Sequence, residues 1–182
     1  ATLTFLDPEG NTIKSFVPGS DDPKSGNEEP SIPVKAGMNR FVWDLRYPDA
    51  RKVEIEGARD KGLAGPLAPP GSYSVRLTVG DETQTQTFDI VMDPRIDATQ
   101  AELEAQHALL IRNRDKLSEC HGAINRLMSV RRQVDEWVRR SRAHGSPESV
   151  SETAGKLKDK LSAIEGELIQ LRAVGDLDTI SH

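Results

Sequence analysis

Aromatic residues are scarce in this chain: four phenylalanines, two tyrosines and two tryptophans make up 4% of its 182 residues. Any core must therefore be organised around a few large side chains. The single cysteine, Cys120, excludes an internal disulfide and fixes neither a redox compartment nor a role for itself. No apolar run approaches the roughly 20 residues needed to span a bilayer. No basic start precedes an apolar stretch, so the beginning does not read as a signal peptide. The chain starts with Ala1 rather than Met, as an excised or processed piece would. A formal net charge of −5 gives no general pull toward nucleic acid or an anionic membrane. At 36% hydrophobic and 29% charged, the composition folds but is lean in large core residues.

Proline and glycine are unevenly spread. Residues 1 to about 92 carry nine of the 11 prolines and nine of the 14 glycines, whereas from about 97 onward the only proline is Pro147. Asp93-Pro94-Arg95 sits at the change, and proline holds the residue before it extended. The expected organisation is a β domain over 1–92, a linker at 93–96, helices over 97–174 and a frayed tail at 175–182.

In the first part, TLTFL alternates and then meets the turn DPEGN, with TIKSFV as the return strand. A polar loop, residues 18–30, separates these from MNRFVWDL (38–45), which reads as a strand. A second Gly/Pro-rich loop spans 48–70. SYSVRLTV then alternates cleanly, with Tyr73, Val75, Leu77 and Val79 on one face. Gly80-Asp81 is a two-residue hairpin signal, and TQTQTFDIVM returns. Short antiparallel strands joined by turns predict a β-sandwich of immunoglobulin or fibronectin type.

In the second part, Thr99 and Glu102 form a capping box, with Asp97 as a competing cap. Leu103, Leu110, Leu117, Ile124 and Val138 fall on a seven-residue spacing, with Leu127 and Val134 between. The helix should run to about Arg142 and break at His144-Gly145-Ser146-Pro147, where Ser146 caps a second helix. There Val150, Ala154, Leu157, Leu161, Ile164, Leu168 and Leu171 alternate three and four apart, a heptad seam. Two helices with a short break predict an antiparallel hairpin. The fold class is thus α+β, a sandwich followed by a helical hairpin. Off-seam apolar residues on the first helix, Leu109, Ile111, Met128 and Trp137, imply a further partner for it.

The run AGMNRFVWDLRYP, then GPLAPPGSYSVRLTVG, then VMDPRI leading into a long helix, resembles the C-terminal region of bacterial exported proteins with sortilin-like, BNR-repeat β-propellers, often labelled glycosyl-hydrolase-like. FLDPEGNTIKSF looks like that region's first hairpin. The sandwich part also resembles immunoglobulin-like modules of flagellar-hook-capping proteins. The resemblance implies a periplasmic or extracellular location and a propeller preceding this region. It carries no catalytic residue onto this chain, because the family's chemistry would sit in the propeller.

The candidate site residues are Trp43, Arg46, Tyr47, Trp137, Arg139 and Arg140. Trp43 reads as a core tryptophan between sheets; its rival role is a platform for a sugar ring, together with loop 57–71. Tyr73 reads as a corner tyrosine bonded to loop backbone. Asp44 and Arg46 read as anchors of the loop after Tyr47-Pro48. His107 and His121 share a helix face but lie about 21 Å apart by helical rise, too far to hold one ion. Asp21, Asp22 and Glu28 lack the regular ligand spacing of a calcium loop. No G-x-S-x-G occurs. Gly155-Lys156 is not a phosphate loop, since Val150 stands at the first glycine position and Leu157 replaces the Ser or Thr. Arg131, Arg132, Arg139, Arg140 and Arg142 suit a helix C-terminus, with Glu148 and Glu152 across the break; a nucleic-acid face would need more support than Trp137. The expectation is a non-catalytic accessory region, with no cofactor and no membrane span. It would pack on the preceding propeller or form a homodimer through the helices. The alternatives are a carbohydrate-binding module and a region completing a hydrolase active site.

Overall fold

The computed structural model of the chain describes residues 1–19, 31–32, 34–54, 64–143 and 148–168. Asp21, Asp22 and Glu28, loop residues 57–63, the break with Ser146 and Pro147, Leu171 and the tail at 175–182 lie outside them. The protein is an α+β chain with one four-stranded antiparallel sheet and two helices: β1 Thr2–Leu6, β2 Thr12–Phe16, β3 Gly71–Val79, β4 Glu82–Ile90, α1 Gln100–Ala143 and α2 Glu148–Leu168. It forms two compact units. One holds Ala1–Ala50 with Leu63–Arg114, the other Arg51–Gly62 with Asp115–His182.

In the first unit the sheet order is β2-β1-β3-β4, which leaves β2 and β4 as edges. The β1–β2 turn closes because the Asp7 carboxylate accepts the Asn11 backbone N–H at 2.7 Å, with Gly10 at φ 85°. Asp is suited to such a turn, since its side chain bonds backbone two to four residues on. The β3–β4 turn pairs Val79 with Glu82. Gly80 has φ 58° and Asp81 does not share a positive φ, the pattern of a II′ hairpin.

Leu3, Phe5, Phe16, Tyr73, Val75 and Phe88 pack together as the core of this unit. Phe5 is at its centre. Its ring stacks on Trp43 at 4.4 Å between centroids and meets Phe16 and Phe88 edge-on at 5.9 and 6.3 Å. Such aromatic pairs add to plain area burial. Tyr73 is 1% exposed and its hydroxyl donates to the Pro69 carbonyl at 2.7 Å, as a corner tyrosine should. Burial pushes its pKa up to about 12. Toward the far end of β3 the same face is uncovered, and Leu77 and Val79 are exposed.

Two sequence expectations change here. Residues 38–45 form no strand, and the described residues hold one sheet rather than two facing ones. What lies on the sheet is an extended segment that keeps a strand's alternation, placing Phe41 and Trp43 on the core, without a strand's ladder. Its backbone bonds go elsewhere. The Asp44 carboxylate takes the Arg46 N–H at 3.1 Å, and Leu45 between them sits at φ 60°. A local side-chain bond of this kind competes with strand pairing. Just past the segment, Arg46 makes an isolated antiparallel bridge with Leu67.

α1 starts as the sequence predicts: Thr99 N–H donates to the Glu102 carboxylate at 2.8 Å, and Glu102 N–H to the Thr99 hydroxyl at 3.3 Å. In its first turns the sheltered positions are Leu103, His107, Ile111 and Arg114, whereas Leu110 of the expected seam is exposed.

Because Trp43 is the ring on which Phe5 rests, Trp43→Ala should lower unfolding free energy by about 2–3 kcal/mol, toward the low side for a half-buried aromatic. Urea denaturation with an unchanged m-value checks it.

Candidate functional site

In the first unit, Trp43, Arg46 and Tyr47 come together and act on the protein itself. The Trp43 indole N–H donates to the Arg46 carbonyl at 3.2 Å. The Arg46 guanidinium donates to the Gly65 carbonyl at 2.8 Å, which pins the end of the long loop as the sequence suggested. Gly65 N–H in turn donates to the Asp49 carboxylate at 2.8 Å. A side chain at Gly65 would collide with the Tyr47 and Pro48 carbonyls, so the two loop arms lie backbone against backbone. Trp43 has one ring face on Phe5 and its edge toward Tyr73, which leaves it ill-placed as a sugar platform.

Three polar side chains of α1, seven residues apart, hold the same loop. Gln100 donates to the Pro70 carbonyl at 2.7 Å, His107 Nδ1 lies 3.0 Å from the Leu67 carbonyl, and Arg114 donates to the Pro48 carbonyl at 3.2 Å. A carbonyl only accepts, so the His107 proton is on Nδ1. The Tyr47 ring covers His107 at 4.6 Å. Burial lowers the His107 pKa, opposed by its bond to Leu67 and assisted by the Arg114 charge. Burial also raises the Tyr47 pKa, with the charges of Asp7 and Glu9 adding to it.

In the second unit the described part of 51–62 is likewise tied to α1. Arg51 N–H donates to Ser118 Oγ at 3.0 Å, His121 Nδ1 meets the Arg51 carbonyl, and Asn125 bonds both the Lys52 carbonyl at 3.0 Å and the Glu54 N–H at 2.8 Å. Ser118, His121 and Asn125 share one helix face. Gly122 lies among them, where a Cβ would come within 3.0 Å of the Arg51 guanidinium. His107 and His121 thus each serve a different carbonyl. Cys120, on the same stretch, is half-buried and unpaired as a thiol.

Farther along, α1 meets α2. Arg131 forms an ion pair with the buried Glu165 and donates to Ser162 Oγ at 3.0 Å, and Asp135 pairs with Lys158. Numbers fall on one helix as they rise on the other. Of the predicted arginines, Arg140 pairs with Glu136 one turn back and Arg139 is exposed. Arg131 thus pairs with Glu165 and Arg140 with Glu136.

Between the helices lies an open trough of about 430 Å³, lined by Val134, Trp137, Val138, Val150, Ala154 and Leu157 with Ser149 and Thr153 at its side. Trp137 is 70% exposed. The trough is apolar and carries no acid, base or nucleophile poised for chemistry. Among the described residues no three His, Cys, Asp or Glu side chains gather as a metal site, and no buried side-chain polar atom lacks a partner. No described helix is long and apolar enough to cross a membrane. Comparison with family models, with curated proteins and with solved structures gives no match.

Two expectations follow. His107 is neutral in the fold with a lowered pKa, so its contribution to stability is full above its ordinary value of about 6.5 and lost as pH falls from there through the folded value. NMR titration should place its midpoint below 6.5, and His107→Asn should flatten that part of the stability–pH curve. Arg131→Met alone strands the buried Glu165 carboxylate and should cost about 2–3 kcal/mol, whereas Arg131→Met with Glu165→Leu should recover most of it. Thermal unfolding of the three proteins checks the pair.

Proposed function

We propose that this chain is a non-catalytic accessory region of a larger, exported β-propeller protein, and that its helices make protein–protein contacts. The observation that carries the reading is the open apolar trough with Trp137 beside it. A stripe of this kind on a charged helix pair is what an interaction surface needs and what a solvated helix avoids. The resemblance of AGMNRFVWDLRYP, GPLAPPGSYSVRLTVG and VMDPRI to the C-terminal region of sortilin-like, BNR-repeat proteins supplies the propeller and the periplasmic or extracellular location. In the same reading the sheet belongs to an immunoglobulin-like module, with the segment at 38–45 standing where a sandwich has its second sheet. α1 and α2 are an antiparallel hairpin, in keeping with the opposed numbering of their ion pairs.

The carbohydrate-binding alternative is less favoured, because Trp43 is engaged by Phe5 and the Arg46 carbonyl. The hydrolase-completing alternative has no poised acid, base or nucleophile among the described residues to support it.

Deleting residues 115–182 from the larger protein, which spares the turns of α1 that hold the first unit, tests the reading. The expected outcome is unchanged chemistry in a folded propeller, with altered assembly or thermal stability. Loss of turnover with assembly unchanged would instead favour a part in the active site.

A further inference from the structure

α1 does not use up the apolar stripe of α2. Ser151, Ala154, Gly155, Lys158, Leu161 and Glu165 are sheltered, with Lys158 and Glu165 paired to α1, whereas Val150, Leu157 and Ile164 are 44%, 41% and 48% exposed. These three recur every seven residues and form one row. α1 has a matching row: Ile124, Leu127, Val134 and Val138 are sheltered, while Val130 and Trp137, also seven apart, are exposed. Trp137 lines the trough with Val150 and Leu157, so the two rows lie on the same side of the helix pair.

Resting on the interaction reading above, we propose that the occupant of this face is a second copy of the chain, docked face to face as a four-helix bundle. Three observations select this occupant. The first is area. α2 has 21 residues and is about 31 Å long, and two helices side by side are about 20 Å wide, so each copy offers about 600 Å². Two such faces bury about 1,200 Å², the lower bound for a specific interface, whereas a lone helix in the trough would cover only part of it.

The second is register. Arg131 is level with Ser162, and Asp135 with Lys158. On that register Val130 is level with Ile164 and Trp137 with Leu157. A twofold axis along the helices keeps these levels and lays α1 of each copy over α2 of the other, running oppositely. Val130 then meets the second copy's Ile164 level, and Trp137 its Leu157 level. Rows with the same step interleave as knobs and holes do.

The third is charge. The outer flank beside the α1 row carries Arg126, Gln133 and Arg140, and that beside the α2 row Thr153, Lys160 and Glu167. The same operation sets Arg126 level with Glu167, Gln133 with Lys160 and Arg140 with Thr153 of the other copy. One opposite-charge pair results on each side and no like charges are opposed, which is the rim arrangement that fixes register.

Sedimentation equilibrium of the full chain over a wide concentration range tests the proposal. The expected result is a monomer–dimer equilibrium. Trp137→Glu, at an exposed position, should weaken it at least about 30-fold while helical circular dichroism is unchanged, as for a central tryptophan anchor. Glu167→Arg should weaken the dimer several-fold, and adding Arg126→Glu should restore it. A monomer at every concentration overturns the proposal, as does a dimer indifferent to Trp137→Glu. Failure of the double reversal to restore overturns the α1-over-α2 arrangement. None of these outcomes bears on the deletion experiment, which tests the accessory role by itself.

Discussion

Backbone outside helices and sheets still carries a donor and an acceptor at nearly every residue, and those groups need partners once they leave water. Between β2 and β3 the described residues form no helix and no strand, and α1 supplies much of what their backbone lacks. Gln100, His107 and Arg114 serve the carbonyls of Pro70, Leu67 and Pro48 in one unit. Ser118, His121 and Asn125 serve Arg51, Lys52 and Glu54 in the other. A helix face that would usually be apolar is polar here because what rests on it is main chain. Arg46, Asp49 and the bare Gly65 extend the same solution within the loop.

That solution explains where the sequence was readable. The four strands and both helices follow from alternation, turn chemistry and the Thr99–Glu102 cap, all of which are local. Tyr73 could be placed because a tyrosine after Pro-Pro-Gly at a strand start has a loop carbonyl within reach. The segment at 38–45 misled because its alternation reports which side chains face the core, not whether its backbone pairs. Phe41 and Trp43 do face the core, but the carboxylate of Asp44 turns the chain at Leu45. The polar ladder on α1 was not legible, since Gln100, His107, Ser118 and Asn125 have the pattern of a solvated face. Only the seven-residue spacing of Gln100, His107 and Arg114 could have drawn notice. On α2 the heptad stripe was legible but its partition was not. Spacing cannot say that Glu165 rather than Ile164 would be the sheltered residue.

The candidate site residues divide by role in consequence. Trp43, Arg46 and Tyr47 are held by Phe5, Gly65 and His107 and maintain the loop. Trp137 is held by little and borders the trough. An ionic pair beneath an apolar face, as Arg131 and Glu165 are here, sets which way and at what level two helices meet rather than how tightly. That separation suits a surface whose apolar groups are reserved for another molecule.

The outer strand β4 has a colloidal consequence. It is nine residues long with an unbroken register to β3. It has no proline, no lysine and no bulge, the devices by which open edges are commonly blunted. Its alternating threonines and glutamines are flat and sticky toward their own kind, and Leu77 and Val79 lie uncovered beside it. Glu82 and Asp89 at its two ends, and the net charge of −5, are the features that oppose strand-to-strand growth. Handling near the isoelectric point of about 5.4 would remove that repulsion and leave the edge open to strand-to-strand growth.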